Sequence, residues 1–276
     1  MSPRICSGVG VLCAVGSLLL LGGCSKKAPA PAVPAAAGVA PANATPVVGA
    51  APQQPIPQRQ PEVRADQKNG TVYQGWGQLY DPANDTEVSM ENGRLSMTVP
   101  PGLHDINHQL GGMRAPRILQ EVTGNFTLEV TVTGDFTPGP QSAKNGVASF
   151  NGAGLSLWLD EQNYLRLERN AWWNASAKSY TGYTPLYEIY VNGRMLPTNP
   201  GTGSPTDFYK GPSTRFRLQR EGIYLVASYS LDGTAWNVVP RLAATLPKKV
   251  YVGIGAVSTS NLPFNVVFED FKLEQK

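Results

Sequence analysis

From Gly93 onward, apolar side chains recur at every second position in short runs, and Gly, Pro, Asn and Asp break those runs apart. Nine segments keep this period: 93–100, 126–136, 153–160, 164–173, 186–193, 214–222, 224–233, 250–257 and 264–274. Successive side chains of a strand point to opposite faces, so a period of two predicts strands with one buried face. No segment keeps a helical period over 11 residues. Asn192-Gly193 and Asp232-Gly233 fall where two-residue hairpin turns need positive φ, and "LDEQNY" closes a hairpin between two alternating runs. Many short strands with turns between them predict an all-β domain over 70–276, built as one two-sheet antiparallel sandwich.

The phase of each run assigns its faces. Leu155, Leu157 and Leu159 share one face and turn Ser156 and Trp158 to the other. Leu165 and Leu167 point inward, leaving Arg166 and Glu168 outward. Tyr187, Ile189 and Val191 oppose Leu186, Glu188 and Tyr190, and Phe216 and Leu218 oppose Arg215, Arg217 and Gln219. If these strands are neighbours, Trp158, Arg166, Glu168, Glu188, Tyr190 and Arg217 share one outer face. Adjacent Trp172 and Trp173 cannot enter one core together. The phase sends Trp172 outward and Trp173 inward, so Trp172 is either a stacking platform or a cover over the sheet edge. Trp76 and Trp236, beside glycine turns, are expected in the core.

Five segments in order carry a resemblance: "APRILQEVTGNFTLEVTVTGDF", "GAGLSLWLDEQNYLRLER", "RFRLQREG", "SYSLDGTAW" and "FNVVFEDFKLE". Together they resemble the DUF1349 family, from about Trp76 to Glu274. The resemblance implies a concanavalin A-like jelly roll of two curved antiparallel sheets. It implies no activity, since that fold hosts lectins, glycosidases and structural modules alike.

The N-terminus changes the setting. Residues 9–22 form an apolar stretch behind Arg4, shorter than the ~20 residues a spanning helix needs, and fit a signal-peptide core. "LGGC" (21–24) resembles the bacterial lipobox, which implies cleavage before Cys24 and lipid on that residue. Ser25 follows rather than Asp, which suggests the outer membrane. The chain therefore divides into a signal peptide (1–24), a Pro/Ala-rich tether (25–69) and the sandwich (70–276). The tether holds nine of the 24 prolines and no aromatic residue, too little apolar area to offset its ordering entropy. The three cysteines, Cys6, Cys13 and Cys24, all precede it, so the domain has neither disulfide nor thiol nucleophile.

Charge and motifs then exclude classes. The whole chain is at +3, but residues 70–276 hold 17 Lys+Arg against 18 Asp+Glu. A near-neutral domain with interspersed signs argues against nucleic acid. A retaining glycosidase sets two carboxyl groups about 5 Å apart, and no strand carries Asp or Glu at i and i+2. Glu168 and Glu188 are the nearest cross-strand pair, and a neighbouring arginine is expected to depress their pKa and disfavour an acid role. "HDINH" spaces His104 and His108 four apart, but Asp105 replaces the glutamate of a zinc motif and no third ligand is evident. A pocket role for His104 and Asp105 is expected instead. "DPAND" (81–85) reads as a turn before a calcium loop. No phosphate loop, dinucleotide fingerprint or G-x-S-x-G is present, and neither metal nor cofactor is predicted.

Aromatic faces suit the C–H faces of sugars, and Arg with Glu suits their hydroxyls. The expectation is a lipid-anchored, envelope-tethered sandwich that binds glycan without turning it over. A structural or protein-interaction module, or a glycan-degrading enzyme, stays open beside it.

Overall fold

The computed structural model describes residues 70–107, 112–196 and 211–276; the signal, the tether, Cys24 and His108 lie outside them. Among the described residues there is no helix. The strands are β1 (Val72–Tyr73), β2 (Gly77–Tyr80), β3 (Glu87–Glu91), β4 (Arg94–Val99), β5 (Arg117–Thr123), β6 (Phe126–Gly134), β7 (Phe150–Asp160), β8 (Asn163–Asn174) and β9 (Ser179–Thr181). They continue as β10 (Leu186–Val191), β11 (Arg194–Met195), β12 (Ser213–Glu221), β13 (Tyr224–Ser230), β14 (Asn237–Val238), β15 (Leu242–Ala243), β16 (Lys249–Ser258) and β17 (Phe264–Gln275). All nine alternating segments form strands.

Two antiparallel sheets result. The first has the order β1-β2-β5-β16-β7-β8-β10-β11, with β9 on β8. The second has the order β14-β13-β12-β6-β17-β4-β3, with β15 on β13. Between them lies one apolar core. Leu155, Leu157, Leu165, Leu167, Tyr187, Ile189 and Ile254 of the first sheet enter it, as do Leu95, Leu128, Val130, Phe216, Leu218 and Phe268 of the second. Each such leucine or phenylalanine contributes about 1.5–3 kcal/mol by leaving water. This is the two-sheet antiparallel sandwich that the alternation predicts.

Local chemistry sets the turns. Asn192 and Gly193 have φ of 50° and 73° between paired Val191 and Arg194, the predicted hairpin turn. Asp232-Gly233 behaves differently. The ladder between β13 and β14 ends at Tyr229 and Asn237, so the loop is longer than two residues. Its organiser is the Asp232 side chain, whose Oδ1 accepts from the backbone N–H groups of Thr234 and Ala235, each at 2.8 Å. The Thr234 and Ala235 N–H groups, and then the Ser230 hydroxyl, hold that carboxyl down to about 2. "DPAND" is likewise a turn, with the Thr86 N–H donating to Asp81 Oδ2 at 2.9 Å.

Two aromatic placements differ from expectation. Trp76 joins the core against Phe271, with ring centroids 4.7 Å apart. Trp236 instead lies half-buried on the outer side of the second sheet, 4.0 Å beneath the Arg217 guanidinium. Trp173 has the predicted phase but stays half-exposed, because β8 runs past the end of the core and Trp173 meets Tyr180 of β9 there, edge-on at 5.3 Å.

Candidate functional site

Strand register places the candidate residues in rows across the outer face of the first sheet. One row runs Tyr190, Tyr164, Trp158, Tyr251 from β10 to β16. The next runs Glu188, Arg166, Ser156, Gly253, and the next Leu186, Glu168, Gly154, Gly255, Arg117. Phe150 and Trp172 pair farther along the same face. The sequence phase therefore brings together Trp158, Arg166, Glu168, Glu188, Tyr190 and Trp172. It does not include Arg217. That residue lies on β12 of the second sheet, where its Nε donates to Glu129 at 2.6 Å, on the opposite side of the sandwich. Period-two reading gives the face within a strand but not the sheet to which the strand belongs.

Most of this face is not open to water. The segment between β4 and β5 crosses it. His104 bridges to Ser258, the Arg114 N–H donates to the Asp105 carbonyl, and Ile106 and Ala115 join Trp158, Tyr164 and Tyr190 in a second apolar cluster. Trp158 is 4% exposed. The Arg117 guanidinium covers one side of its ring at 3.9 Å, and Tyr164 stacks at 5.6 Å, with Tyr190 a further 4.6 Å on. Trp158 and Tyr190 are thus interior groups and not platforms for a ligand. Ile106 and Ala115 lie with Gly154 and Gly255 around a cavity of about 10 Å³, lined also by Arg117, Ser156 and Glu168. That is room for a single water.

Beneath the segment lies a buried ionic cluster. Arg166 Nε donates to Glu188 Oε2 at 2.8 Å, while its Nη1 stands 3.7 Å from Asp105 and 3.8 Å from Glu168. Three carboxylates thus surround one guanidinium. Burial opposes the charge of Arg166, but Glu168, Glu188 and Asp105 outweigh it and hold the pKa above the usual arginine range. Glu168, 3% exposed, goes the other way. Burial pushes its carboxyl up to about 7, Arg166 draws it back in part, and Glu188 and Asp105 add to the rise. Arg166 lowers the Glu168 pKa, as expected of a neighbouring arginine, but desolvation exceeds the pairing and the net shift is upward. Burial also lowers Arg117 to about 10.

His104 and Asp105 divide between two neighbours. Asp105 turns to Arg166 and accepts from the Ile106 N–H at 2.7 Å. The buried His104 ring turns away, with Nε2 3.0 Å from Asp85. Among the described residues no group of His, Cys, Asp and Glu is arranged to hold a metal.

The far end of the face stays half-exposed. Trp172 lies against Tyr183 with centroids 4.9 Å apart, opposite Phe150 across the strand pair, and all three are half-buried. Asn170 fixes this corner: its amide accepts from the Tyr183 N–H at 3.0 Å and donates to the Tyr183 carbonyl at 2.9 Å. Glu168 leans toward the same end. A Cβ on Gly152 would meet both its carboxylate, at 2.5 Å, and the Phe150 ring, at 2.7 Å. Phe150, Tyr183, Tyr164 and Arg117 escaped sequence reasoning. Tyr164 shares the phase of Arg166 and was legible. Arg117 was not, since β5 is buried on both faces at its start and shows no alternation.

No protein-family model matches the chain, so the DUF1349 likeness rests on the quoted segments alone, and no curated protein matches it in sequence. In structure it is similar to a functionally unknown protein from Saccharomyces cerevisiae, at 17% identity and TM-score 0.49, over 69% of this chain and 92% of that one. It is similar to a xylan β-1,4-xylosidase from Bacillus halodurans at 14% identity and TM-score 0.47, covering 82% of this chain but spanning only 41% of the enzyme. The carbohydrate-binding module CBM66 from Bacillus subtilis is similar at 13% identity and TM-score 0.43, over 74% of this chain and all of the module. Identities this low carry no activity from those proteins to this one.

Proposed function

We propose that the sandwich binds carbohydrate at the Trp172, Tyr183 and Phe150 corner and is held at the cell envelope by lipid on Cys24. The observation that supports the binding reading is the half-exposed tryptophan on the sheet face, backed by Tyr183 and set beside buried Arg166 and its carboxylates. An indole in that position offers a flat apolar surface for a sugar ring, and Asn170 and Tyr183 keep it from collapsing onto the sheet. The envelope part rests on "LGGC" and the Pro/Ala-rich stretch behind it.

Glycan-array binding by the full chain tests the first part. Trp172→Ala is expected to weaken capture about tenfold or more while leaving the melting temperature nearly unchanged. Equal capture by the variant refutes the assignment. Metabolic labelling with a radioactive fatty acid tests the second, with label expected on the natural chain and lost in Cys24→Ala.

One observation favours a second reading, glycan hydrolysis. Glu168 keeps its proton to about pH 7, as a general acid requires. The burial that produces this also closes Glu168 off from a substrate. Turnover of a polysaccharide that disappears in Glu168→Gln would favour the enzyme.

A further inference from the structure

The charge balance beside the aromatic corner is one-sided. Asp105, Glu168 and Glu188 face a single guanidinium, Arg166, and Arg117 approaches only from the far side of the small cavity. Arg166 spends its one close contact on Glu188. Glu168 Oε2 and Ser156 Oγ, each at least nine-tenths buried, have no hydrogen-bond partner, and both residues line that cavity. Once Glu168 ionises, above about pH 7, the negative charge here exceeds what Arg166 neutralises, in a place where water screens it little. It lies at the right end of the face. Four residues of β8 separate Glu168 from Trp172, about 13 Å of strand, and the Glu168 carboxylate leans back over Gly152 against Phe150. Arg166 already lies over the Phe150 ring at 5.7 Å, and Trp172 and Tyr183 are half-exposed rings, which attract cations through their quadrupoles. No lysine or arginine other than Arg166 lies over these three rings among the described residues.

From this we infer that the corner selects a glycan bearing free ammonium groups, a hexosamine oligomer, over neutral and acidic sugars. The inference rests on the carbohydrate reading above and names its ligand class. An ammonium stacked on the rings answers the surplus carboxylate field, an N-acetyl group removes that charge, and a uronate is repelled by it. Ammonium binding also favours the ionised form of Glu168.

Isothermal titration of the full chain with a glucosamine tetramer, an N-acetylglucosamine tetramer and a galacturonate tetramer tests this. The expected result is about tenfold tighter binding of the glucosamine tetramer than of its acetylated counterpart, with no measurable binding of the galacturonate. That ratio should shrink toward one in Glu188→Gln and in Glu168→Gln, with Trp172→Ala weakening both amine and acetylated ligands. If the acetylated tetramer binds as well as the amine, or the ratio survives both Gln variants, the charge selection is wrong and the carbohydrate reading stands. If no tetramer binds, or Trp172→Ala leaves binding unchanged, the carbohydrate reading falls as well.

Discussion

Glu168 is a carboxyl that folding makes harder to ionise. Near Leu155, Leu167 and Gly154 it has little water, and Arg166 divides its attraction among three acids. The sign of the consequence follows from proton counts. The unfolded chain releases this proton near 4.5 and the folded chain near 7. Between those values the folded state holds more protons, so stability contributed here is full below 4.5 and declines as pH rises toward 7. Each pH unit in that window costs the folded state at most about 1.4 kcal/mol. Glu168→Gln is expected to melt higher than the natural chain at pH 8 and to lose that advantage at pH 4.5, as thermal unfolding at both values would show. A variant less stable at pH 8 would mean that Glu168 is held ionised by Arg166 after all. Trp172 shows what phase can do for one residue: its outward direction was legible from Arg166 and Glu168, six and four residues back along β8.

At the scale of elements, glycine is what lets neighbouring strands of the first sheet approach closely. A Cβ on Gly154 would collide with the Leu167 carbonyl, and one on Gly253 with the Ile118 carbonyl. Gly154→Ala is expected to cost about 3 kcal/mol or more, or to prevent folding. Gly222→Ala, at a turn with φ of 62° and open space around it, should cost only about 1–2 kcal/mol. Urea denaturation of the two variants compares them directly, and equal losses would show that the strand pair relaxes around the added methyl. Elements also mark where sequence reading stopped. The nine alternating strands announce themselves because one face of each is apolar. β3 does not, since nearly all of it is exposed at the sheet edge. β5 hides for the opposite reason: Arg117, Ile118 and Leu119 are all buried. Arg217 had the right phase on the wrong sheet, because pairing between distant strands such as β12 and β6 leaves no local signature.

For the whole molecule, the two sheets are not equivalent. The second is covered on one side by the core and carries on the other a part-buried cluster of Arg215 and Arg217 on Glu129, with Trp236 beneath Arg217. The first is covered on both sides, by the core and by Ile106 and Ala115 with the aromatic column under them. The face that the strand phase marks as outward is therefore largely a second interior, while Trp172 at one end stays half-exposed. Amide protons report this difference. Those of β7, β8 and β16, shielded above and below, should be the last to exchange with heavy water, whereas β3 and β14 should lose theirs first. The slowest-opening part of the protein then lies directly behind the corner assigned to the ligand, so occupancy of that corner should leave exchange in these central strands nearly untouched and slow it instead in the chain around Tyr183.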